Sequence, residues 1–150
     1  MKRLSLLILT IIFLQLFNSC SSSFSEKEFD KLNIKIGDVE SWLNLMPGGP
    51  GSFHVSGKYE LPEELDEKKI FLDKIIVTDN EKEIYTLIAE LQFVNNSVKE
   101  VKEFVFTNPY PTKIHPILMQ RDSIEVQLIF TINNVSVKKE LKKIQLTRAY

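Results

Sequence analysis

Residues 123–137 read SIEVQLIFTINNVSV, and this stretch decides the fold. Apolar side chains recur at every second position from Ile124 to Ile132, which is the period of a β-strand with one buried face. Asn133-Asn134 then separates this strand from a second apolar alternation that begins at Val135. Asparagine tolerates the left-handed backbone of a two-residue turn, so the stretch predicts a β-hairpin with Phe130 facing the core.

The same period of two recurs through the rest of the chain from residue 32 onward. The other predicted strands lie near residues 32–36, 53–61, 70–78, 84–93, 101–107 and 135–148. The apolar phase changes inside the last of them, which predicts a β-bulge near Leu141 to Lys143. Only residues 62–69 would suit a short helical turn. About seven strands with regular turns predict an all-β fold, specifically an antiparallel immunoglobulin-like β-sandwich. A small β-barrel is the alternative, because strand patterns do not fix closure.

The N-terminus has the layout of an export signal. Lys2-Arg3 precedes an apolar run from Leu4 to Leu16, and Ser19 and Cys20 follow shortly after it. A charged start, an apolar segment and a small residue at the cut are the parts of a secretory signal peptide. Cys20 is also the only cysteine of the chain. The segment resembles a bacterial lipoprotein signal peptide, which implies that residues 1–19 are removed and that Cys20 becomes the lipidated first residue.

This resemblance implies a protein held on a membrane of the bacterial cell envelope by the lipid on Cys20. Ser21 after the cysteine favours the outer membrane. The apolar run is 13 residues long, whereas a helix that spans the bilayer needs about 20. Residues 20–31 are rich in serine and charge, which predicts a lipidated tether. Residues 32–150 form the predicted β-domain.

Composition limits the classes of partner. The formal net charge is −1, and it becomes more acidic when Lys2 and Arg3 leave with the signal peptide. Nucleic-acid binding selects a strongly basic surface, so nucleic acid is not an expected partner. With one cysteine the chain forms no internal disulfide, and its length is sufficient for a core that is stable by packing alone.

One segment between the first two strands is rich in proline and glycine: MPGGPG at residues 46–51, here called the Pro-Gly loop. It is interpreted either as a stiff connection or as a binding loop on a rigid scaffold. Trp42 and His54 flank it, although the burial tendency of tryptophan favours a core position for Trp42. The candidate ligand-binding residues are Trp42, Met46, Pro47, Gly48, Gly49, Pro50 and His54.

Catalytic chemistry is poorly supported by the sequence. The only thiol is expected to be acylated, no Gly-x-Ser-x-Gly motif is present, and only His54 and His115 are available as histidine bases. No catalytic residue and no cofactor are therefore predicted. A copper site is the alternative, because methionine and imidazole are ligands that suit copper. Its candidate ligands are Met46, His54, His115 and Met119.

The sequence thus predicts a lipid-anchored extracytoplasmic β-domain that is not an enzyme. It would bind an unidentified protein or glycan, or serve in envelope assembly; a periplasmic copper carrier and a small hydrolase are the alternatives. A binding module predicts a concave or aromatic patch around the Pro-Gly loop. An assembly role predicts an exposed edge strand or apolar patch without a pocket. A metal carrier or hydrolase predicts that His54 and His115 lie close together.

Overall fold

The computed structural model describes residues 26–94 and 100–150. The predicted signal peptide, Cys20 and the first part of the tether lie outside the described residues. No helix within the described ranges is long and apolar enough to cross a lipid bilayer. The elements are helix α1 (Glu26–Lys31), strands β1 (Lys35–Asn44), β2 (Ser52–Pro62), β3 (Ile70–Asp79), β4 (Lys82–Ile88), β5 (Glu90–Val94) and β6 (Val101–Thr107), a 3-10 helix (Pro116–Gln120), and strands β7 (Ser123–Ile132) and β8 (Val135–Ala149).

The eight strands form one curled sheet with the shape of a half-barrel, in the order β4-β3-β7-β8-β1-β2-β6-β5. Strands β1 and β8 pair in parallel, and the other neighbours are antiparallel. The predicted all-β class is confirmed. The predicted immunoglobulin-like sandwich is not confirmed, because one continuous sheet curls around the core where a sandwich would pack two separate sheets.

Strands β4 and β5 are two halves of one extended segment that is interrupted only at Ala89. β4 pairs with β3, whereas β5 pairs with β6 at the opposite end of the strand order. The sequence predicts a single strand here, because the apolar alternation keeps its phase across Ala89. Alternation reports which face of a strand is buried and does not report which neighbour it pairs with, so the change of partner was not predicted.

The core lies on the concave side of the curled sheet. Phe130, near the end of β7, is fully buried. Its ring centroid lies 5.3 Å from that of Tyr59 on β2, at an interplanar angle of 86°. Burial raises the pKa of Tyr59 to about 12. The predicted inward face of β7 is confirmed, since all of its members are buried: Ile124, Val126, Leu128, Phe130 and Ile132.

Helix α1 corrects the prediction that residues 20–31 form only a tether. Phe29 on this helix is 2% exposed, and its ring centroid lies 5.1 Å from that of Phe130. Asp30 also forms an ion pair with Lys139 of β8, in which Oδ1 and Nζ lie 3.1 Å apart. The serines and charges of this stretch are typical of a solvated linker, but one aromatic side chain suffices to dock a short helix on the core.

The predicted turns and bulge are confirmed in β7 and β8. Asn133 and Asn134 have φ angles of 48° and 68°, as a two-residue hairpin turn requires. The pairing of β7 with β8 shifts register beside Lys143, whose φ is 61°. Residues 63–69 form two hydrogen-bonded turns. The Leu65 N–H donates to the Pro62 carbonyl in the first, and the Lys69 and Ile70 N–H groups both donate to the Asp66 carbonyl in the second, which is a single helical turn as predicted for this stretch.

Candidate functional site

Three aromatic rings stack on the outer face of the sheet beside the Pro-Gly loop. Trp42 of β1 and His54 of β2 are register partners, with ring centroids 4.9 Å apart and planes 6° apart. Tyr110, from the segment after β6, extends the stack, with its centroid 5.7 Å from that of His54 and an interplanar angle of 21°. We call these three residues the aromatic column. Because the middle ring is covered on both sides, the open ring faces are those at the ends of the column.

Strand alternation explains why this column faces away from the core. Leu43, Phe53 and Val55 are fully buried, so their neighbours Trp42 and His54 point to the opposite side of the sheet. The expectation that Trp42 belongs to the core was therefore wrong. Trp42 is half-buried, and its apolar surface is covered by stacking on His54 instead of by the interior.

His54 is held in one orientation by a hydroxyl group. Its Nε2 atom lies 2.7 Å from the Oγ atom of Ser52, a buried residue two positions earlier on the same face of β2. Burial lowers the pKa of His54 below its usual value of 6.5, because desolvation penalises the imidazolium form. The imidazole is therefore neutral at pH 7, and the column presents aromatic surface without a positive charge.

Tyr110 is positioned by the buried side chain of Asn108. The Val55 N–H donates to Asn108 Oδ1 at 2.7 Å. Asn108 Nδ2 donates to the Phe53 carbonyl at 3.1 Å and to Thr112 Oγ1 at 2.8 Å. These bonds attach the 108–112 segment to β2, while the Tyr110 side chain itself remains 72% exposed. Because the backbone that carries this exposed ring is already held in place, binding a ligand on the ring costs less conformational entropy.

The Pro-Gly loop lies beside the Tyr110 end of the column. Gly48 and Gly51 have φ angles of 108° and 70°, which side chains with a Cβ rarely adopt. The Met46 N–H also donates to Asn44 Oδ1 at 3.2 Å, which defines the start of the loop. A cavity of about 210 Å³ is lined by Asn44, Met46, Pro47, Gly49, Pro50, Gly51, Ser52, Tyr110 and Pro111. This lining contains no charged side chain.

A second cavity opens at the Trp42 end of the column. It has a volume of about 400 Å³ and is lined by Val39, Glu40, Ser41, Trp42, Gln145 and Thr147. Thr147 Oγ1 donates to the Ser41 carbonyl at 3.2 Å, and Ser41 Oγ donates to the Gln145 carbonyl at 2.9 Å. Thus β8 supplies the polar wall of this cavity, and each end of the aromatic column borders a cavity.

The residues proposed for the alternative metal site do not share a common set of contacts. His54 stacks between Trp42 and Tyr110, whereas His115 is exposed and accepts a hydrogen bond at Nδ1 from the Ile117 N–H at 3.3 Å, which caps the 3-10 helix. The Met46 and Met119 side chains are exposed as well. In residues 26–94 and 100–150, no group of three or more His, Cys, Asp or Glu side chains could hold a metal ion.

The structure therefore brings Trp42, His54 and the Pro-Gly loop to one surface and adds Tyr110 to it. The sequence signal for Tyr110 is an aromatic residue between Pro109 and Pro111, which by itself indicates only the end of a strand. Cys20 lies outside the described residues. No family model, curated protein or solved structure matches this chain, so the site is interpreted from its own geometry.

Proposed function

We propose that this chain is a lipid-anchored binding module of the bacterial cell envelope, and that its ligand contacts the aromatic column and the Pro-Gly loop. The observation that carries the proposal is the stack of Trp42, His54 and Tyr110 with an open cavity at each end. Rigid aromatic side chains supply large contact area at low entropy cost. The uncharged lining of the loop cavity favours a neutral ligand, either a glycan or a segment of a protein.

The position of the column relative to the tether supports the same proposal. Strand β1 begins shortly after helix α1 and ends at the Pro-Gly loop. Its 10 residues span about 33 Å at 3.3 Å per residue. The start of β1 and the Pro-Gly loop therefore lie at opposite ends of the strand, so an anchor attached before helix α1 is compatible with a ligand at the aromatic rings.

Removing the lipidated residue tests the anchoring part of the proposal. We expect Cys20→Ser to leave the protein without lipid, so that it moves from the membrane fraction to the soluble fraction or stays unprocessed. Membrane fractionation with immunoblotting measures this, and Ser22→Ala serves as the matched control. Unchanged processing and membrane retention of Cys20→Ser would contradict lipid anchoring.

Replacing the loop tests the binding part. We expect the change of Pro47-Gly-Gly-Pro50 to Ser-Asn-Ser-Ser to lower the recovery of bound material at least about tenfold in quantitative pulldown, because a pre-organised contact surface is lost. The melting temperature should fall only slightly. Tyr110→Ala should lower recovery similarly, because the ring is exposed and supports little of the core.

The control for both variants is Ile88→Ala, which removes an exposed apolar side chain on β4. It should leave recovery unchanged. If the loop variant instead melts at a much lower temperature and its folded fraction still captures the same material, the loop is a structural connector and the proposed site is wrong.

A further inference from the structure

Strand β5 is an exposed edge of the curled sheet. Within the described part of the chain it pairs only with β6, so one side of its backbone has no strand partner there. Leu91 and Phe93 point to the same face as their partners Phe106 and Phe104. Yet Leu91 is 37% and Phe93 is 55% exposed, whereas both partners are buried. The apolar inner face of the sheet thus continues to β5 and remains uncovered there.

The half-barrel stays open at β5 because β3 pairs with only one half of the β4–β5 segment. Pairing of β3 with β4 ends at Lys74 and Ile88, and the Ala89 N–H then donates to the Asp73 carbonyl at 3.0 Å. The earlier residues of β3 pair with β7 on their other side. Natural sheets usually protect an edge with prolines, bulges or a covering segment. β5 contains no proline and pairs with β6 without a bulge, and no strand among residues 26–94 and 100–150 covers its other side. An apolar edge of this kind is a typical site for strand addition.

The charges along this segment specify the partner further. Residues 81–94 contain Glu81, Glu83 and Glu90 against Lys82 as the one basic residue, and the three carboxylates are exposed. Because Leu91 faces inward, the adjacent Glu90 faces outward. A strand added to β5 would place apolar residues beside Leu91 and Phe93 and an outward residue beside Glu90, where opposite charge is favoured.

We infer that β5 is a docking edge for an extended peptide segment in which apolar and basic residues alternate. The incoming backbone forms hydrogen bonds with the free side of β5. Its apolar side chains cover Leu91 and Phe93 on the inner face, and its basic side chains pair with Glu90 on the outer face. This surface differs from the aromatic column, because Leu91 and Phe93 face the inner side of the sheet with Phe106 and Phe104, whereas the column lies on the outer side.

The test uses the full lipidated protein in a neutral detergent and a fluorescent synthetic peptide of four Lys-Val repeats. Fluorescence anisotropy should show saturable binding that weakens with added salt. The same peptide with a methyl group on every backbone amide nitrogen should bind at least about tenfold more weakly, because it lacks the donors that pair with a strand edge. Hydrogen exchange should show new protection of the amides at residues 90–94.

Two variants locate the peptide on β5. Phe93→Lys should weaken binding at least about tenfold, whereas Ile88→Lys, an exposed site on the outer face of β4, should leave it within about twofold. Since Phe93 also packs on Phe104, with ring centroids 5.5 Å apart, Glu90→Lys is the second variant. It should weaken the Lys-Val peptide and strengthen a Glu-Val peptide.

Three results would each overturn the inference. The first is equal binding of the N-methylated peptide, which would exclude backbone pairing. The second is equal binding of the Glu-Val peptide to the unmodified protein, which would exclude a basic partner. The third is equal loss in the Phe93→Lys and Ile88→Lys variants, which would place the contact elsewhere. None of these results depends on ligand capture at the aromatic column.

Discussion

Replacing Phe130 with alanine is expected to lower the free energy of unfolding by about 3–5 kcal/mol. The side chain is fully buried and packs against Phe29 of helix α1 and Tyr59 of β2. It thereby connects the N-terminal helix, β7 and β2 across the inside of the curled sheet. A cavity at this position removes contacts from all three elements. The loss is a large part of the 5–15 kcal/mol that typically stabilises a domain.

Urea denaturation monitored by circular dichroism measures this loss through the shift of the unfolding midpoint. The matched control is Met119→Ala, which shortens an exposed apolar side chain of the 3-10 helix and should change stability by no more than about 0.5 kcal/mol. An unfolding midpoint for Phe130→Ala equal to that of the control would show that the core is not organised around this ring.

The second large effect is expected at Asn108. Asn108→Ala removes the acceptor for the Val55 N–H and the donor to the Phe53 carbonyl, and it leaves both backbone groups without that partner. Leaving a buried polar group unsatisfied costs about 1–3 kcal/mol. The 108–112 segment keeps its backbone bonds from the Asn108 N–H to the Val55 carbonyl and from the Phe53 N–H to the Thr112 carbonyl. It loses the side-chain bonds of Asn108, so we expect Tyr110 to be held less firmly in the aromatic column. We therefore expect a loss of stability together with a loss of ligand recovery.

Two variants separate these contributions. Asn108→Asp keeps an acceptor for the Val55 N–H and removes the amide donor, whereas Thr112→Val removes only the hydroxyl that Asn108 Nδ2 contacts at 2.8 Å. Thermal melts and quantitative pulldown should rank Asn108→Ala as more damaging than Thr112→Val in both measurements. Retention of full ligand recovery by folded Asn108→Ala would show that the side-chain bonds of Asn108 are not needed for binding.

The β7–β8 hairpin was predictable because its signals are local. Alternation identifies the buried face, and Asn133-Asn134 identifies the turn. The partner of each strand depends on distant residues instead. The curl of the sheet, the parallel pairing of β1 with β8 and the division of one segment at Ala89 are not encoded in any short window of sequence. Helix α1 was not predicted because its buried aromatic residue, Phe29, lies in a stretch dominated by charge.

In the candidate site, too, the residues with local sequence signals were predicted and the residue placed by distant pairing was not. Trp42, His54 and the Pro-Gly loop stood out because they lie close together in sequence and have an unusual composition. Tyr110 reaches them through the pairing of β2 with β6, in which Ser56 lies opposite Thr107. That pairing brings the 108–112 segment against β2 from a position more than 50 residues away and cannot be derived from either segment alone.

Strand β1 has a mechanical consequence for a protein attached at one end and bound at the other. If the proposed anchor and ligand site are correct, a pull between them would enter at the start of β1 and leave through the aromatic column, of which Trp42 lies on β1 and His54 on β2. β1 pairs with β2 along its length and with β8 from Ser41 to Asn44, so the share of the force that passes from β1 to β2 would load their hydrogen bonds in shear. Bonds loaded in shear break together, whereas bonds that are peeled break one after another. This arrangement would oppose the separation of β1 from β2.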